Sequence, residues 1–99
     1  FLFEKYQESF KGISNVSLFK EPNNSKSNYW LQTLILSESV KDQREDILEE
    51  SNNEGLMLRP AWKLINRLNP YKEFPKSSIP IAESVSNRII NLPSNAHMK

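Results

Sequence analysis

SNYWLQTLIL, residues 27–36, is the stretch that decides the fold, because it contains the longest strongly apolar run in the chain. From residue 28 onward its side chains alternate between two faces, and both faces are mostly apolar. This pattern predicts a central strand at residues 28–36 that is covered on each side. Gln32 and Thr33 interrupt the run, which is far too short to span a bilayer.

Hydrophobic spacing predicts short elements on both sides of this strand. A capping serine, Ser39, and a stop at Gly55 bound the middle helix. The predicted elements, in chain order, are a helix that starts at residue 2 and ends near Gly12, strands at 16–19 and 28–36, a helix at 40–54, a strand at 56–59 and a helix at 80–92. Between the last two, 62–68 is predicted as a short helix or turn and 69–78 as a loop. The order α-β-β-α-β-α, with its long β-β connection, predicts an α+β fold with a small, mainly antiparallel sheet and helices packed on it.

Composition narrows the class of protein. The chain has 99 residues, 37% hydrophobic and 25% charged, which is the size of one globular domain. A net charge of +1 without a basic block gives no support to nucleic-acid binding. The absence of cysteine excludes disulfides and fits a cytoplasmic location. No segment resembles a secretory signal or a membrane span, so we expect no membrane partner.

The two ends of the sequence predict how the domain is bounded. The chain starts at Phe1 without a methionine, and the first residues already show helical spacing, so we interpret the start as a cut inside a helix. Residues 1–95 are predicted to form a single domain of a larger protein. Residues 96–99, which include the only histidine, His97, are predicted to be a disordered tail.

No complete catalytic apparatus is recognisable in the residues. His97 lies too close to the C-terminus for a serine–histidine–acid triad. The two glycines are too far apart to form a phosphate-binding loop. Four acids on one helix are interpreted as a solvated face rather than a metal site: Asp46, Glu49, Glu50 and Glu54. Each lysine lies in polar sequence, so none is expected to be an activated nucleophile.

Two segments are candidates for a binding site. Asn28 and Tyr29 belong to a polar-aromatic cluster at the start of the central strand, and Arg59 and Trp62 flank Pro60 at the end of a later strand. An arginine at a strand end can bind phosphate or carboxylate, and a tryptophan can form a wall or stack on a base. The alternative is that the tryptophans, Trp30 and Trp62, belong to the core and Arg59 is an exposed charge.

The order of these segments resembles a known family. SNYWLQTLIL, REDILEESNNEG, LMLRPAWKLINRLNPY and AESVSNRIINLPSN follow one another as in the C-terminal part of the DegT/DnrJ/EryC1/StrS sugar-nucleotide aminotransferases. The most specific pieces are G-x-x-x-R-P-x-W at residues 55–62 and I-I-N-L-P-S at residues 89–94. The branches that aminate 4-keto sugars towards bacillosamine, legionaminic acid or perosamine are the most similar, and the resemblance covers residues 1–95.

The resemblance implies a function that composition cannot show. Family members bind pyridoxal phosphate on a lysine of a large domain, which precedes a small C-terminal domain like this one. The whole enzyme, a homodimer, would transfer an amino group from an amino acid, glutamate by expectation, to a keto sugar nucleotide. The resemblance places Asn28, Tyr29, Arg59 and Trp62 on the substrate side of the cleft, and the chain itself would lack the catalytic lysine.

Two alternatives stay open at this point. A sugar 3-dehydratase of the same family carries histidine in place of the cofactor lysine, at a position outside this sequence. A free-standing α+β binding module without catalysis would instead be a stable monomer with its own ligand. A severed domain would expose apolar surface where it meets its large domain.

Overall fold

The computed structural model describes residues 1–95 and 97–98 and forms an antiparallel four-stranded sheet with the strand order β1-β2-β4-β3. The α helices are α1 (Leu2–Phe10), α2 (Arg44–Asn53) and α3 (Pro80–Ser86), and the strands are β1 (Val16–Leu18), β2 (Gln32–Leu36), β3 (Arg59–Pro60) and β4 (Ile89–Leu92). Short 3-10 helices occupy Glu38–Gln43, Ile65–Arg67 and Asn69–Tyr71. The predicted α+β class is confirmed, and so is the antiparallel pairing of the first two strands.

The hydrophobic core lies on one face of the sheet. Its buried members are Leu34, Leu36, Leu48, Leu58, Ile90 and Leu92. Tyr6 and Phe10 of α1 and Ile47 of α2 pack against this cluster, so both helices cover the same face. In β2 the alternate residues Thr33 and Ile35 are only half-buried. The predicted central position of this strand is confirmed, and its second face is covered only in part.

The central strand also starts later than the sequence predicts. β2 begins at Gln32, and Tyr29 has a left-handed backbone with φ 49°. The Ser27 hydroxyl accepts a hydrogen bond from the Tyr29 N–H at 2.9 Å, and the Asn28 side-chain oxygen accepts one from the Trp30 N–H at 3.0 Å. Such local side-chain bonds compete with a strand ladder for the backbone donors. This competition explains why the apolar side chains of residues 29–31 do not extend the strand.

The end of the chain differs most from its prediction. The last helix stops at Ser86, and residues 89–92 form β4, between β2 and β3. Ile90 pairs with Leu34 on one side and with Pro60 on the other. The apolar residues keep a helical spacing up to Ile90, which is why the sequence predicts a helix here. In the structure the β-branched side chains of Ile89 and Ile90 belong to a paired strand. The observed order contains a fourth strand after the predicted series.

Two boundaries follow from turn chemistry. Gly55 ends the middle helix with φ 84°, as predicted, because glycine takes the left-handed conformation without steric cost. Ser39 does not cap that helix. Its hydroxyl bonds the Ser37 hydroxyl, and a 3-10 turn precedes α2, which begins at Arg44. The strand predicted at 56–59 is observed at Arg59–Pro60, an edge position where the missing proline N–H costs no ladder hydrogen bond.

The first and last described segments meet in space. The first predicted helix is confirmed as α1, which ends at Phe10, two residues before the predicted stop near Gly12. The Tyr6 hydroxyl donates a hydrogen bond of 2.7 Å to the carbonyl of Pro93, just after β4. Ala96 and Lys99 lie outside the described residues, so the predicted tail at 96–99 stays a prediction. Across residues 1–95 and 97–98, no helix has the length and apolar character that a membrane crossing requires.

Candidate functional site

Arg59 stands where the edge strand of the sheet meets a loop. It pairs with Asn91 of β4, which in turn pairs with Thr33 of β2. The Thr33 hydroxyl donates a hydrogen bond of 2.9 Å to the side-chain oxygen of Asn91. Thr33, Asn91 and Arg59 therefore form a polar row across β2, β4 and β3. In the sequence these residues lie up to about sixty positions apart.

The guanidinium of Arg59 is held from one side. Its Nη1 donates to Asn52 Oδ1 at 2.6 Å and to the carbonyl oxygen of Leu58 at 3.0 Å. Asn52 is itself fixed, because its Nδ2 donates to the carbonyl oxygens of Leu48 and Leu58 at 2.7 and 3.0 Å. Within the described chain, the Nε and Nη2 atoms of Arg59 make no hydrogen bond. These two donors form the edge that binds a carboxylate or phosphate in bidentate fashion.

Trp62 follows this strand and is highly exposed, with 78% of its surface accessible. Trp30 is 67% accessible, so the alternative in which both indoles are core residues is wrong for the structure of this chain. Arg59 and Trp62 border an open groove of about 490 Å³, which we name the Arg59 groove. Its lining includes Leu31, Met57, Arg59, Trp62, Asn91 and Ser94.

Asn28 and Tyr29 line a different groove, of about 420 Å³, which we name the Tyr29 groove. Its lining includes Phe19, Glu21, Lys26, Asn28, Tyr29 and Trp30. Leu31 borders both grooves, so the two are neighbours. The structure thus brings Arg59 together with Trp62, and Asn28 together with Tyr29, but it does not place all four residues in one pocket.

The contacts of Tyr29 within the chain hold its loop in place. Its ring stacks on Phe3 of α1 with a centroid separation of 3.9 Å, and its hydroxyl accepts a hydrogen bond of 3.2 Å from the Glu21 N–H. Its carbonyl accepts a further bond from Gln32 Nε2 at 3.0 Å. Asn28 is exposed, with its side-chain oxygen committed to the turn. Tyr29 therefore fixes the wall of its groove and presents little of its own polar surface.

Asn52 and Asn91 are polar residues of the Arg59 groove region that the sequence reasoning did not single out. The sequence predicts a helix over the segment that contains Asn91, so it does not predict that Asn91 lies beside Arg59. Asn52 looked like an ordinary polar residue near a helix end. The signal available for Asn91 was its place inside the I-I-N-L-P-S segment.

The described residues do not fit covalent attachment of an aldehyde cofactor. A lysine that forms a Schiff base is desolvated or lies beside another cation, which lowers its pKa. Every lysine that the structure describes is exposed: Lys5, Lys11, Lys20, Lys26, Lys41, Lys63, Lys72 and Lys76. The carboxylates of Asp46, Glu49, Glu50 and Glu54 are exposed as well. The grooves of this chain therefore offer binding and positioning but no activated nucleophile among the described residues.

Comparison with known proteins identifies the family. The model of the DegT/DnrJ/EryC1/StrS aminotransferase family matches residues 1–99. This chain therefore belongs to the DegT/DnrJ/EryC1/StrS aminotransferase family.

Individual relatives agree with this assignment. GDP-perosamine synthase of Vibrio cholerae is 29% identical over 92 residues, which are 92% of this chain and 25% of that enzyme. Among solved structures, Helicobacter pylori PseC, an aminotransferase involved in the biosynthesis of pseudoaminic acid, has a TM-score of 0.80 at 21% identity, over 92% of this chain and 25% of its own. DesI, solved in the presence of its TDP-sugar product, has a TM-score of 0.87 at 19% identity, over 98% and 25%. The chain thus spans about a quarter of the length of its relatives.

Proposed function

We propose that this chain is the C-terminal small domain, residues 1–95, of a pyridoxal-phosphate-dependent aminotransferase that acts on a keto sugar nucleotide. The whole enzyme would take the amino group from an amino acid, with glutamate as the expected donor. The family match over the full sequence and the similarity to a GDP-perosamine synthase support this proposal. The structural observation that carries it is the open guanidinium edge of Arg59 beside an exposed indole.

In this proposal Arg59 binds the diphosphate on its sugar side. A nucleotide sugar carries two adjacent phosphates, and a planar guanidinium with two parallel donors matches one phosphate better than a lysine does. Because Asn52 already orders the side chain, little conformational entropy is lost when the ligand binds. Trp62 would provide an apolar wall for the less polar face of the sugar ring.

Asn28 and Tyr29 contribute more indirectly. They line the neighbouring groove, and Leu31 links that groove to the one that holds Arg59. We propose that they shape the end of the cleft where the keto sugar lies. Tyr29 would act through the position of its loop, since its ring and hydroxyl are engaged with Phe3 and Glu21.

The remaining parts of the enzyme would come from outside these residues. The cofactor lysine is proposed to lie in a large domain, because no described lysine of this chain is desolvated. Exposed apolar side chains such as Trp30, Leu56 and Met57 offer surface for that domain and for a second subunit of a homodimer. We expect the enzyme in the cytoplasm, which fits a sequence without cysteine.

The experiment is kinetic analysis of the full-length enzyme with glutamate and a panel of keto sugar nucleotides. Arg59→Ala should raise KM for the sugar nucleotide by about tenfold or more, because charge-assisted hydrogen bonds contribute about 1.5–3 kcal/mol. Arg59→Lys keeps the charge but loses the fork, so its KM should lie between those of wild type and Arg59→Ala.

Lys11→Ala, which removes an exposed charge outside the linings of the Arg59 and Tyr29 grooves, serves as the control and should leave KM unchanged. An unchanged KM and kcat in Arg59→Ala would remove Arg59 from the site. Failure of the wild-type enzyme to aminate any keto sugar nucleotide on the panel would contradict the activity itself.

A further inference from the structure

The connection between β3 and α3, residues 61–79, contains a further groove, which shares Trp62 with the Arg59 groove. This groove has a volume of about 530 Å³, and we name it the Phe74 groove. Its lining includes Trp62, Lys63, Ile65, Asn66, Phe74 and Lys76. Ile65 and Phe74 are 70% and 63% exposed, so large apolar side chains are presented to solvent here. Tyr71 adds a second ring, 6.2 Å from that of Phe74 between centroids.

The connection is also basic. Residues 61–79 contain four lysines and arginines and one acid, a net charge of +3, whereas the whole chain carries +1. Arg67 is partly neutralised by Glu83 at 3.9 Å. Lys63 and Lys76, both in the lining of the groove, form no ion pair within the described chain. An apolar groove with unpaired ammonium groups at its border is complementary to an aromatic ligand that carries negative charge.

Asn66 provides an independent observation. It belongs to the lining of the Phe74 groove, and its side-chain oxygen is shielded from solvent without a hydrogen-bond donor in the described part of the chain. A buried acceptor without a partner costs free energy. Asn66 therefore places an unpaired acceptor in a residue of the groove lining, and nucleotide bases carry N–H groups at their edges.

Trp62 belongs to the lining of both the Phe74 groove and the Arg59 groove, so the two grooves are neighbours and one ligand can contact both. We infer that the Phe74 groove binds the nucleoside half of the sugar nucleotide, with the base against Phe74 and Tyr71 and the diphosphate crossing Trp62 between Arg59 and Lys63. This inference rests on the proposed function, and it extends the binding site into a segment that the sequence predicted only as a turn and a loop.

Variants of the full-length enzyme test this assignment with free nucleoside diphosphates, UDP, GDP and dTDP, as probes. Binding is measured by calorimetry, and KM is measured for the complete sugar nucleotide. Phe74→Ala should weaken binding of the preferred nucleoside diphosphate by about tenfold, the usual scale of base stacking on an aromatic side chain. The double variant Lys63→Gln/Lys76→Gln should weaken it by about tenfold at low salt and less at high salt.

The matched control is Lys72→Gln, which removes the same charge from the same segment but lies outside the groove lining. It should bind the probe like the wild type. Because Phe74 and the lysines are exposed, these variants should keep the melting temperature of the wild type. A nucleoside diphosphate bound equally by wild type, Phe74→Ala and the double lysine variant overturns the inference.

The outcomes separate this inference from the proposed function. If the enzyme aminates a sugar nucleotide with unchanged KM in the Phe74 and lysine variants, the nucleoside binds elsewhere and only the inference fails. If Phe74→Ala lowers the melting temperature without affecting KM, another part of the protein covers the groove, and the inference fails as well. If no sugar nucleotide is aminated or bound at all, the proposed function and the inference fall together.

Discussion

The sheet with its helices and the connection at residues 61–79 are built in opposite ways. All six buried apolar side chains of the core belong to β2, β4, α2 and Leu58. The connection has no buried side chain and contains only two short 3-10 helices, although it is rich in aromatic and aliphatic residues. The first region buries its apolar side chains in the core, whereas the second leaves most of them accessible to a ligand or partner. We therefore expect the first region to determine stability, and we propose recognition for the second.

The largest expected effect is on stability and comes from the middle of the sheet. Ile90 is completely buried, whereas Ile65 in the connection is 70% exposed. Ile90→Ala should lower the free energy of unfolding by about 2–5 kcal/mol, because it removes buried methyl groups and leaves a cavity. Ile65→Ala should change it by no more than about 0.5 kcal/mol. Urea unfolding of both variants checks this, and equal losses would abolish the distinction between the regions.

A smaller effect is expected at Asn52 of α2, which holds Arg59 two residues before the connection. Asn52→Ala removes the acceptor for Arg59 and two hydrogen bonds to carbonyl oxygens. It should lower the free energy of unfolding by about 1–2 kcal/mol and raise KM for the sugar nucleotide, though less than Arg59→Ala does.

Asn52→Asp separates these two roles, because it keeps an oxygen facing Arg59 but loses the amide donor. It should be destabilised while KM stays close to the wild-type value. A KM in Asn52→Asp as high as in Asn52→Ala would argue against a positioning role through Arg59.

Tyr6 and Tyr71 allow the two regions to be compared by the same substitution, because tyrosine to phenylalanine removes only the hydroxyl oxygen. The Tyr6 hydroxyl bonds the Pro93 carbonyl, and burial raises the pKa of this phenol. Tyr6→Phe should lower the free energy of unfolding by about 1 kcal/mol, the usual net contribution of one hydrogen bond. Tyr71→Phe, in the exposed connection, should have no measurable effect. Thermal melts of both variants check this expectation. The reverse ranking would show that the connection contributes to the fold.

The smallest expected effect depends on pH. The hydrogen bond from Ser84, and the nearby Lys41, hold the pKa of the Glu38 carboxyl below its ordinary value. Since the folded-state pKa is lowered, the stabilisation is present above the ordinary pKa and is lost as pH falls through the folded-state value. Ser84→Ala should therefore reduce the melting temperature slightly at pH 7, and the difference should vanish well below pH 4.5. Ser77→Ala in the connection is the control and should show no difference at either pH.

Much of the fold could be predicted because it depends on local spacing. The helix Leu2–Phe10, the strand near Val16 and the helix stop at Gly55 follow from apolar periodicity and turn chemistry. The start of β2 and the nature of residues 89–92 could not be predicted in this way. The first depends on side-chain hydrogen bonds that bend the backbone, and the second depends on strands distant in sequence that offer paired partners on both sides.

The candidate site could be predicted only in part, because some of its features depend on neighbouring residues in the sequence and others on distant ones. Arg59 and Trp62 were selected because a charged and an aromatic residue flank a proline at a strand end, and the structure places both on one groove. The orientation of the guanidinium by Asn52 could not be read from the sequence. Neither could the separation of Asn28 and Tyr29 into a neighbouring groove, since the φ of 49° at Tyr29 redirects the chain before β2 begins.

The sequence by itself determined the class of fold, the family and the residue types at the candidate site. These depend on composition, on short-range periodicity and on motifs that are contiguous in the chain. The position of β4 between β2 and β3, the shared place of Trp62 in the lining of two grooves, and the available edge of the Arg59 guanidinium follow only from the folded structure. The physical reason is that these features come from hydrogen bonds and packing between residues far apart in sequence, whose partners are set by the folded chain as a whole.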